Sequence, residues 1–511
     1  MYLWIVITGG VFSFISAMGI GANDVANAYA TAVGSKSLTI KQAVVLATIF
    51  ETSGALLMGG HVTKTIRKGI ADYECFEDDP GALMYGCMCV CLSVGVWLFI
   101  ASKYEMPVST THSCVGGMIG MTMALKGPQC VTWYEEKELF PYVGGVSGII
   151  LSWIISPLFS AMISSVFFGI TRYSILRSKN SFNRTIYLFP ILIGFTATLN
   201  SFFIIYKGAK GLGLDDTSFD TACIISFSIG GISSLLITPF ASSIKKGVIK
   251  KFNNDNINGN DSMHNDDNNS INNQYIDIKN KDIESKDTNC CSNIIKYIDD
   301  NINENLDNIV EENENVSNIH SQAEKFDDKT EEYFKSLQIF TAICDSFSHG
   351  ANDVANAIGP FAAIYMIGRD GAVIKEVEMG SEAYWILGFG GVGISLGLLV
   401  YGYKIIHAIG LKLCKITPSR GVAIELSSAL VIITGSRLEI PLSTTHCQVG
   451  ATMGVAALED PKNCSGINWS IVGKTFIGWI LTLVVVGSST ALLTAQGTYA
   501  PEVGESDCGE F

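Results

Sequence analysis

The sequence predicts an all-α polytopic membrane protein with about twelve transmembrane segments, some broken or re-entrant, in two inverted-topology repeats. Three observations carry that expectation. Apolar runs near the ~20 residues that cross a bilayer as a helix recur along the chain. The stretch Gly21-Ala22-Asn23-Asp24-Val25-Ala26-Asn27 returns without change at residues 350–356. A second motif, Ser-Thr-Thr-His, stands at 109–112 and again at 443–446.

The chain has 511 residues, is 48% hydrophobic and 16% charged, and has a mean hydropathy of +0.33. Composition therefore overrides the several soluble domains that length alone would suggest. Apolar segments fall at 3–33, 41–60, 81–101, 107–126, 141–170, 186–206, 217–243, 336–367, 383–413, 421–436, 441–458 and 468–497. The N-terminus has no basic residue before Lys36, unlike the charged start of a secretory signal, and is expected to be a retained first span. Basic residues set the orientation. Arg172, Arg177, Lys179 and Arg184 form one group, Lys245, Lys246, Lys250 and Lys251 a second, and Lys404, Lys412, Lys415 and Arg420 a third. Two passes separate successive groups, so all three can be cytoplasmic together, with both termini outside. Lys64, Arg67 and Lys68 run against that assignment, offset by Glu74, Glu77, Asp78 and Asp79.

The formal charge of −14 resides in residues 252–334, which hold 20 acidic residues, 6 Lys and 20 Asn. The rest of the chain is neutral, so the acidity implies no cationic partner, and no nucleic-acid partner is expected. A segment of this composition cannot bury enough apolar surface to offset its chain entropy and is expected to be disordered. The 14 cysteines are scattered. Cys87, Cys89 and Cys91 would point to different sides of a helix and make a poor metal site, and no disulfide framework can be argued.

The two motifs keep their order and nearly their spacing. Gly21 precedes Ser109 by 88 residues, and Gly350 precedes Ser443 by 93. The first heptapeptide lies in the first pass and its copy in the eighth, so the repeats cross the membrane in opposite directions. The expected division is a first repeat at 1–170, connecting helices at 171–251, the acidic loop at 252–334, a second repeat at 335–497 and a tail at 498–511.

Each Ser-Thr-Thr-His follows a Pro, and Pro and Ser suit the first positions of a helix. A helix that begins inside the membrane presents free N–H groups and a positive dipole end, a place for an anion. Ser109, Thr110 and Thr111, and Ser443, Thr444 and Thr445, add uncharged donors. The plainer reading is that these hydroxyls only bond back to helix carbonyls. The heptapeptides supply oxygens from Asn23, Asp24 and Asn27 and from Asn352, Asp353 and Asn356. If the helix unwinds near Gly21, freed carbonyls join them, and such hard ligands suit Na+. Close packing of small residues is the alternative use, but it leaves an intramembrane Asp unexplained. The four motif copies contain no Lys or Arg. A bound cation would then make anion binding depend on it, the linkage a symporter needs.

Other polar residues stand at membrane depth. Glu51 and Glu425 occupy non-equivalent places in the repeats, and each suits either cation or proton contact or a helix–helix hydrogen bond. His349 has Ile20 as its counterpart and reads as a pH-tuning group or a packed histidine. Adjacent helical residues such as Thr111 and His112 cannot form a nucleophile–base pair, and no zinc or phosphate-cradling motif occurs, so no enzyme is expected.

With both motif pairs in view, the chain resembles the PiT family of inorganic phosphate transporters. The matching stretches are Gly21–Gly34, Phe50-Glu51-Thr52, 65–70, Pro107–His112, Ser348–Pro360 and Pro441–His446. The resemblance implies sodium-coupled symport of inorganic phosphate at the plasma membrane, with no cofactor beyond Na+ as coupling ion. It also implies external termini, a cytoplasmic central loop, a bilayer environment and a homodimer. Carried over residue by residue, phosphate contacts fall on Asp24, Ser109, Thr110, Thr111, Asp353, Ser443, Thr444 and Thr445. Sodium contacts fall on Asn23, Asp24, Asn27, Asn352, Asp353 and Asn356, while Glu51 and Glu425 match acidic positions required for transport. Proton-coupled phosphate symport and an anion channel are the competing functions. Asp345 departs from the family pattern, which has a small uncharged residue there.

Overall fold

The computed structural model describes residues 2–137, 142–206, 214, 217–262, 306–311, 313–373 and 384–499. Long helices dominate them, as expected of an all-α membrane protein. In the first part of the chain these are α1 (Leu3–Ile20), α2 (Ala26–Gly34), α3 (Ile40–Lys68), α4 (Pro80–Lys103), α5 (Thr110–Lys126), α6 (Gly145–Thr171), α7 (Ser181–Ile205) and α8 (Phe219–Ser262). There follow α9 (Leu306–Glu311), α10 (Glu314–Gln322), α11 (Asp328–Asp370), α12 (Tyr384–Tyr401), α13 (Tyr403–Gly410), α14 (Pro418–Arg437), α15 (Thr444–Ala457) and α16 (Trp469–Tyr499). One short hairpin pairs β1 (Glu135–Glu136) with β2 (Val143–Gly144).

Among the described residues, eight helical spans are long and apolar enough to cross a membrane. Helices α5 and α15 are too short to qualify, with 17 and 14 residues. Helices α11 and α14 are long, but they carry buried charged side chains, among them Asp345, Asp353 and Glu425. Outward-facing positions such as Ile154, Leu158, Ile477 and Val484 are exposed, as suits a lipid-facing surface.

Local chemistry sets the helix starts. Thr39 and Gln42 form a capping box at α3, and Asp79 caps α4 with Pro80 in its first turn. Ser109 and Ser443 cap α5 and α15 through the N–H groups of His112 (3.2 Å) and His446 (3.3 Å). Each short helix is preceded by a Glu at positive φ, Glu105 at 54° and Glu439 at 56°. The chain reverses at both, so the same turn delivers both Ser-Thr-Thr stretches to the interior.

Packing brings the two halves together. Helix α3 lies along α11, and α1 and the turn after it lie against α12. Helix α16 packs on α5 while α6 packs on α15, so each half supplies the helix that supports the other's short helix. The α3–α11 crossing is backbone on backbone. A Cβ at Gly350 would collide with the Glu51 carbonyl, and one at Gly54 with that of Phe347.

Three expectations need correction. The helix does not unwind at the first heptapeptide, because residues Gly21–Val25 form a single π turn joining α1 to α2. The second copy stays helical throughout α11. The segment 252–334 is not disordered along its whole length. Helix α8 continues to Ser262, and α9, α10 and the start of α11 occupy its last part. That part is held because Val316 and Ile319 are buried and Glu324 pairs with Arg172 and Arg177. Residues 263–305 lie outside the described residues. Finally, Cys75 and Cys130 form a disulfide between the α3–α4 connection and the turn after α5, where no pairing could be argued from spacing. Cys87, Cys89 and Cys91 are free and buried.

Candidate functional site

The two heptapeptides and the two short helices meet in one buried polar centre. Asp24 is 1% exposed and Asp353 fully buried. Thr110 donates to Asp24 Oδ2 at 2.7 Å, and Thr444 donates to Asp353 Oδ2 at 2.5 Å. Asn27 Nδ2 donates to Asp24 Oδ1 at 2.7 Å, and Asn356 Nδ2 to Asp353 Oδ1 at 3.1 Å. These are matched contacts, one set from each motif copy.

Other bonds cross between the halves. Thr445 donates to Asp24 Oδ1 at 2.6 Å, and Asn27 Nδ2 reaches Thr445 Oγ1 at 3.2 Å. Asn356 Nδ2 reaches Thr110 Oγ1 at 3.1 Å and Thr111 Oγ1 at 3.2 Å. Thr111 donates to the Leu442 carbonyl at 2.7 Å, and Thr445 to that of Val108 at 3.1 Å. Every Thr of the two motifs therefore has its hydroxyl engaged, while Ser109 and Ser443 act as caps. Helix geometry leaves the amides of Thr110, Thr111, Thr444 and Thr445 in the first turn, ahead of the first helical bonds at Ser113 and Cys447.

The motif asparagines divide into two kinds. Asn23 Nδ2 donates to Ser102 Oγ and to the Met106 carbonyl, both at 3.0 Å, and its Oδ1 accepts from Val108 N at 3.0 Å. Asn352 Nδ2 donates to the Leu442 carbonyl and to Asp353 Oδ1, both at 2.9 Å, and its Oδ1 takes Ser436 Oγ at 3.4 Å. These two hold the loops that begin the short helices. Asn27 and Asn356 differ, because each keeps a buried Oδ1 with no partner.

Charge at the centre is negative and is met by one histidine. His349 Nδ1 lies 3.0 Å from Glu51 Oε2, and its Nε2 lies 2.8 Å from Asp353 Oδ2, out of line for a hydrogen bond, and 4.0 Å from Asp24 Oδ1. Ser346 donates to Glu51 Oε1 at 3.1 Å. Ligand atoms of Asp24, His349 and Asp353 all lie within 4.8 Å of one another, close enough to share a small cation. Glu425 stands apart, accepting from Thr31 (2.6 Å), Thr341 (2.5 Å) and Gln338 (3.1 Å). The two glutamates thus have different surroundings, as their unequal positions in the repeats suggest.

Sequence reasoning did not single out the aromatic support behind the short helices. His112 packs against Trp153 and His446 against Trp479 as tilted ring pairs, each with centroids 3.6 Å apart, and the two histidine rings are 4.7 Å apart. It also passed over Ser102, Ser436, Thr31 and Gln338. Trp153 and Trp479 stand at matching places in α6 and α16, a pairing that a second internal comparison of the halves could have found.

The Phosphate transporter family matches residues 20–489, a span that contains every residue of this centre. The chain belongs to that family. The phosphate-repressible phosphate permease pho-4 of Neurospora crassa is 29% identical to this phosphate transporter family member, over 98% of each chain. A putative phosphate permease of Pyrococcus horikoshii is 31% identical over 95% of each. A sodium-dependent phosphate transporter of Plasmodium falciparum is 28% identical over 98% of each. A solved structure described as the sodium-dependent phosphate transporter aligns with a TM-score of 0.73 and 29% identity, covering 98% of this chain and all of that one. The resemblance drawn from the motifs is borne out for the family, and the family is one of transporters, not enzymes.

Proposed function

We propose that the protein is a sodium-coupled symporter of inorganic phosphate, and that both solutes bind where the two heptapeptides meet the starts of α5 and α15. The observation that carries this reading is the pair of unpartnered amide oxygens on Asn27 and Asn356, beside Asp24 and Asp353. A buried polar atom without a partner is costly, and a cation among two carboxylates and two amide oxygens would satisfy both. Backbone oxygens add to this set. Pro360 has no N–H to give the Asn356 carbonyl, and the π turn at Gly21–Val25 shifts the bonding of the first copy. Freed carbonyls thus arise from a proline and a π turn instead of an unwound helix.

The anion takes the other side of the same centre. Phosphate oxygens accept the first-turn amides of α5 and α15 and the hydroxyls of Ser109, Thr110, Thr111, Ser443, Thr444 and Thr445. Four of those hydroxyls, on Thr110, Thr111, Thr444 and Thr445, are engaged by carboxylates or carbonyls here. Cations on Asp24 and Asp353 release the threonines and cancel the negative field, so phosphate binds well only after Na+. Asn23 and Asn352, matched by resemblance to sodium contacts, act in this reading by holding the loops.

The halves 1–170 and 335–497 are read as the inverted repeats, with 171–251 connecting them. The matched Asp–Thr and Asp–Asn contacts support this reading. Both termini face outward and the segment after α8 faces the cytoplasm. Support comes from the ends of α4: a disulfide, which forms in oxidising surroundings, lies near its start, and the Lys412–Glu105 pair lies just past its end. A plasma-membrane location and a homodimer belong to the same proposal.

Labelled phosphate uptake into proteoliposomes, with choline replacing Na+ at fixed pH, tests the coupling. Uptake is expected to fall to background, and undiminished uptake overturns the sodium reading. His349, placed among three carboxylates, favours proton coupling as the second reading. In that case an inward proton gradient drives uptake in choline.

A further inference from the structure

The two central carboxylates are sealed from both sides, since neither Asp24 nor Asp353 is more than 1% exposed. A carrier whose site lies between two halves must open one seal at a time. The turns before α5 and α15 stand where such seals are needed. Glu105 and Glu439 each lie four residues before a capping serine, with Pro107 and Pro441 midway.

Both turns close a long helix in the same way. At the end of α4, Met106 N donates to the Ala101 carbonyl at 3.0 Å and Glu105 N to that of Ser102 at 3.1 Å. At the end of α14, Ile440 N donates to the Gly435 carbonyl at 3.0 Å and Glu439 N to that of Ser436 at 3.3 Å. This paired pattern puts one residue at positive φ, a place that glycine fills at least cost. A Glu fills it twice here, at 54° and 56°, against the steric preference of a side chain.

The opposite half uses both of these residues. Lys412 Nζ, just past α13, lies 2.6 Å from Glu105 Oε2, and Lys404 Nζ donates to the Lys103 carbonyl at 3.3 Å. Lys64 Nζ, near the end of α3, lies 3.9 Å from Glu439 Oε1, and the Thr65 hydroxyl donates to the Glu439 carbonyl at 2.8 Å. Helices α4 and α14 end at opposite membrane faces in the orientation given above, so one clasp lies at each face. Ion pairs this exposed contribute little to stability and break readily, which suits a latch better than a brace. Each proline stiffens its turn, while Asn23 grips Met106 and Val108 and Asn352 grips Leu442. Movement of either Glu is thereby passed to the start of a short helix.

We propose that Glu105–Lys412 and Lys64–Glu439 are the inner and outer latches of the transport cycle, and that they open in alternation. They are positioning residues, acting through the turns that carry Ser109 and Ser443. The proposal rests on the two-repeat transporter reading above, and phosphate uptake by the unaltered chain is the control for that reading.

The full chain, in intact cells and in everted vesicles made from them, carries the test. Val108→Cys and Leu442→Cys, at buried positions just before the capping serines, report access of a membrane-impermeant maleimide. The chain without a reporter gives the background from its own cysteines. Glu105→Gln is expected to raise labelling of Val108→Cys severalfold from the inner face alone. Glu439→Gln is expected to do the same for Leu442→Cys from the outer face alone. Unchanged labelling in either case overturns the latches, and so does a rise from both faces alike, which marks a loosened fold. Glu105→Lys should slow labelled phosphate uptake severalfold, and adding Lys412→Glu should restore most of the rate. A swap that restores nothing overturns the pairing. Where a Glu variant fails to reach the membrane, Lys412→Ala or Lys64→Ala decides by the same labelling. If the unaltered chain takes up no phosphate, the transport reading fails, while the labelling still judges the latches.

Discussion

Asn27 and Asn356 each turn the amide nitrogen toward an Asp and a Thr and leave the amide oxygen buried without a partner. Leaving such an atom unsatisfied costs about 1–3 kcal/mol, which a bound cation removes. Asn27→Ala and Asn356→Ala are therefore expected to raise the half-saturating Na+ concentration about tenfold, or about 1.4 kcal/mol. The phosphate KM at saturating Na+ should change less, and uptake curves at several Na+ concentrations check both. Asp24→Asn and Asp353→Asn are expected to abolish Na+-dependent uptake with surface expression intact, as measured by uptake alongside surface biotinylation. At this scale the sequence was informative because a duplicated Asp in an apolar run has few structural uses. It could not separate Asn23 and Asn352 from Asn27 and Asn356. That separation depends on which loop lies within 3.0 Å of each amide, a fact of tertiary placement.

Helices α3 and α11 cross where Gly54 and Gly350 have no side chain to hold them apart. Their contact sets the distance between Glu51 and His349, so the glycine of the heptapeptide positions a neighbouring carboxylate as well as its own segment. Gly350→Ala forces the Cβ into the Glu51 carbonyl and is expected to cost about 1–3 kcal/mol of stability. Thermal unfolding of the purified protein in detergent measures this, with Gly473→Ala as the control, since a Cβ there meets nothing within 4 Å. Hydropathy located the long helices well. It missed the π turn and the helical end of the acidic segment, because both depend on partners distant in sequence. Glu324 illustrates the second case, reaching back more than 140 positions to Arg172 and Arg177.

Whole-molecule order at one end of the bundle rests on that cluster. Burial pushes the Glu324 carboxyl up, but hydrogen bonds from Arg177 and Arg172 outweigh it and hold it below the usual carboxylate range. A lowered folded-state value stabilises the docked segment above the ordinary Glu value of about 4.3, and the benefit is lost as pH falls through the lower value. Amide exchange in α10 is expected to quicken below that range in the wild type. Glu324→Gln should exchange quickly already at neutral pH. Arg420, 1% exposed, ties the same end to Glu459 at 2.7 Å. The bonds from Thr445 to Asp24 and from Asn356 to Thr110 and Thr111 have a different reach. They stitch the centre across the seam between halves, so neither half owns a complete set of ligands. A polypeptide severed between the two motif pairs would regain its centre only by re-pairing both pieces, and each piece alone would be inert.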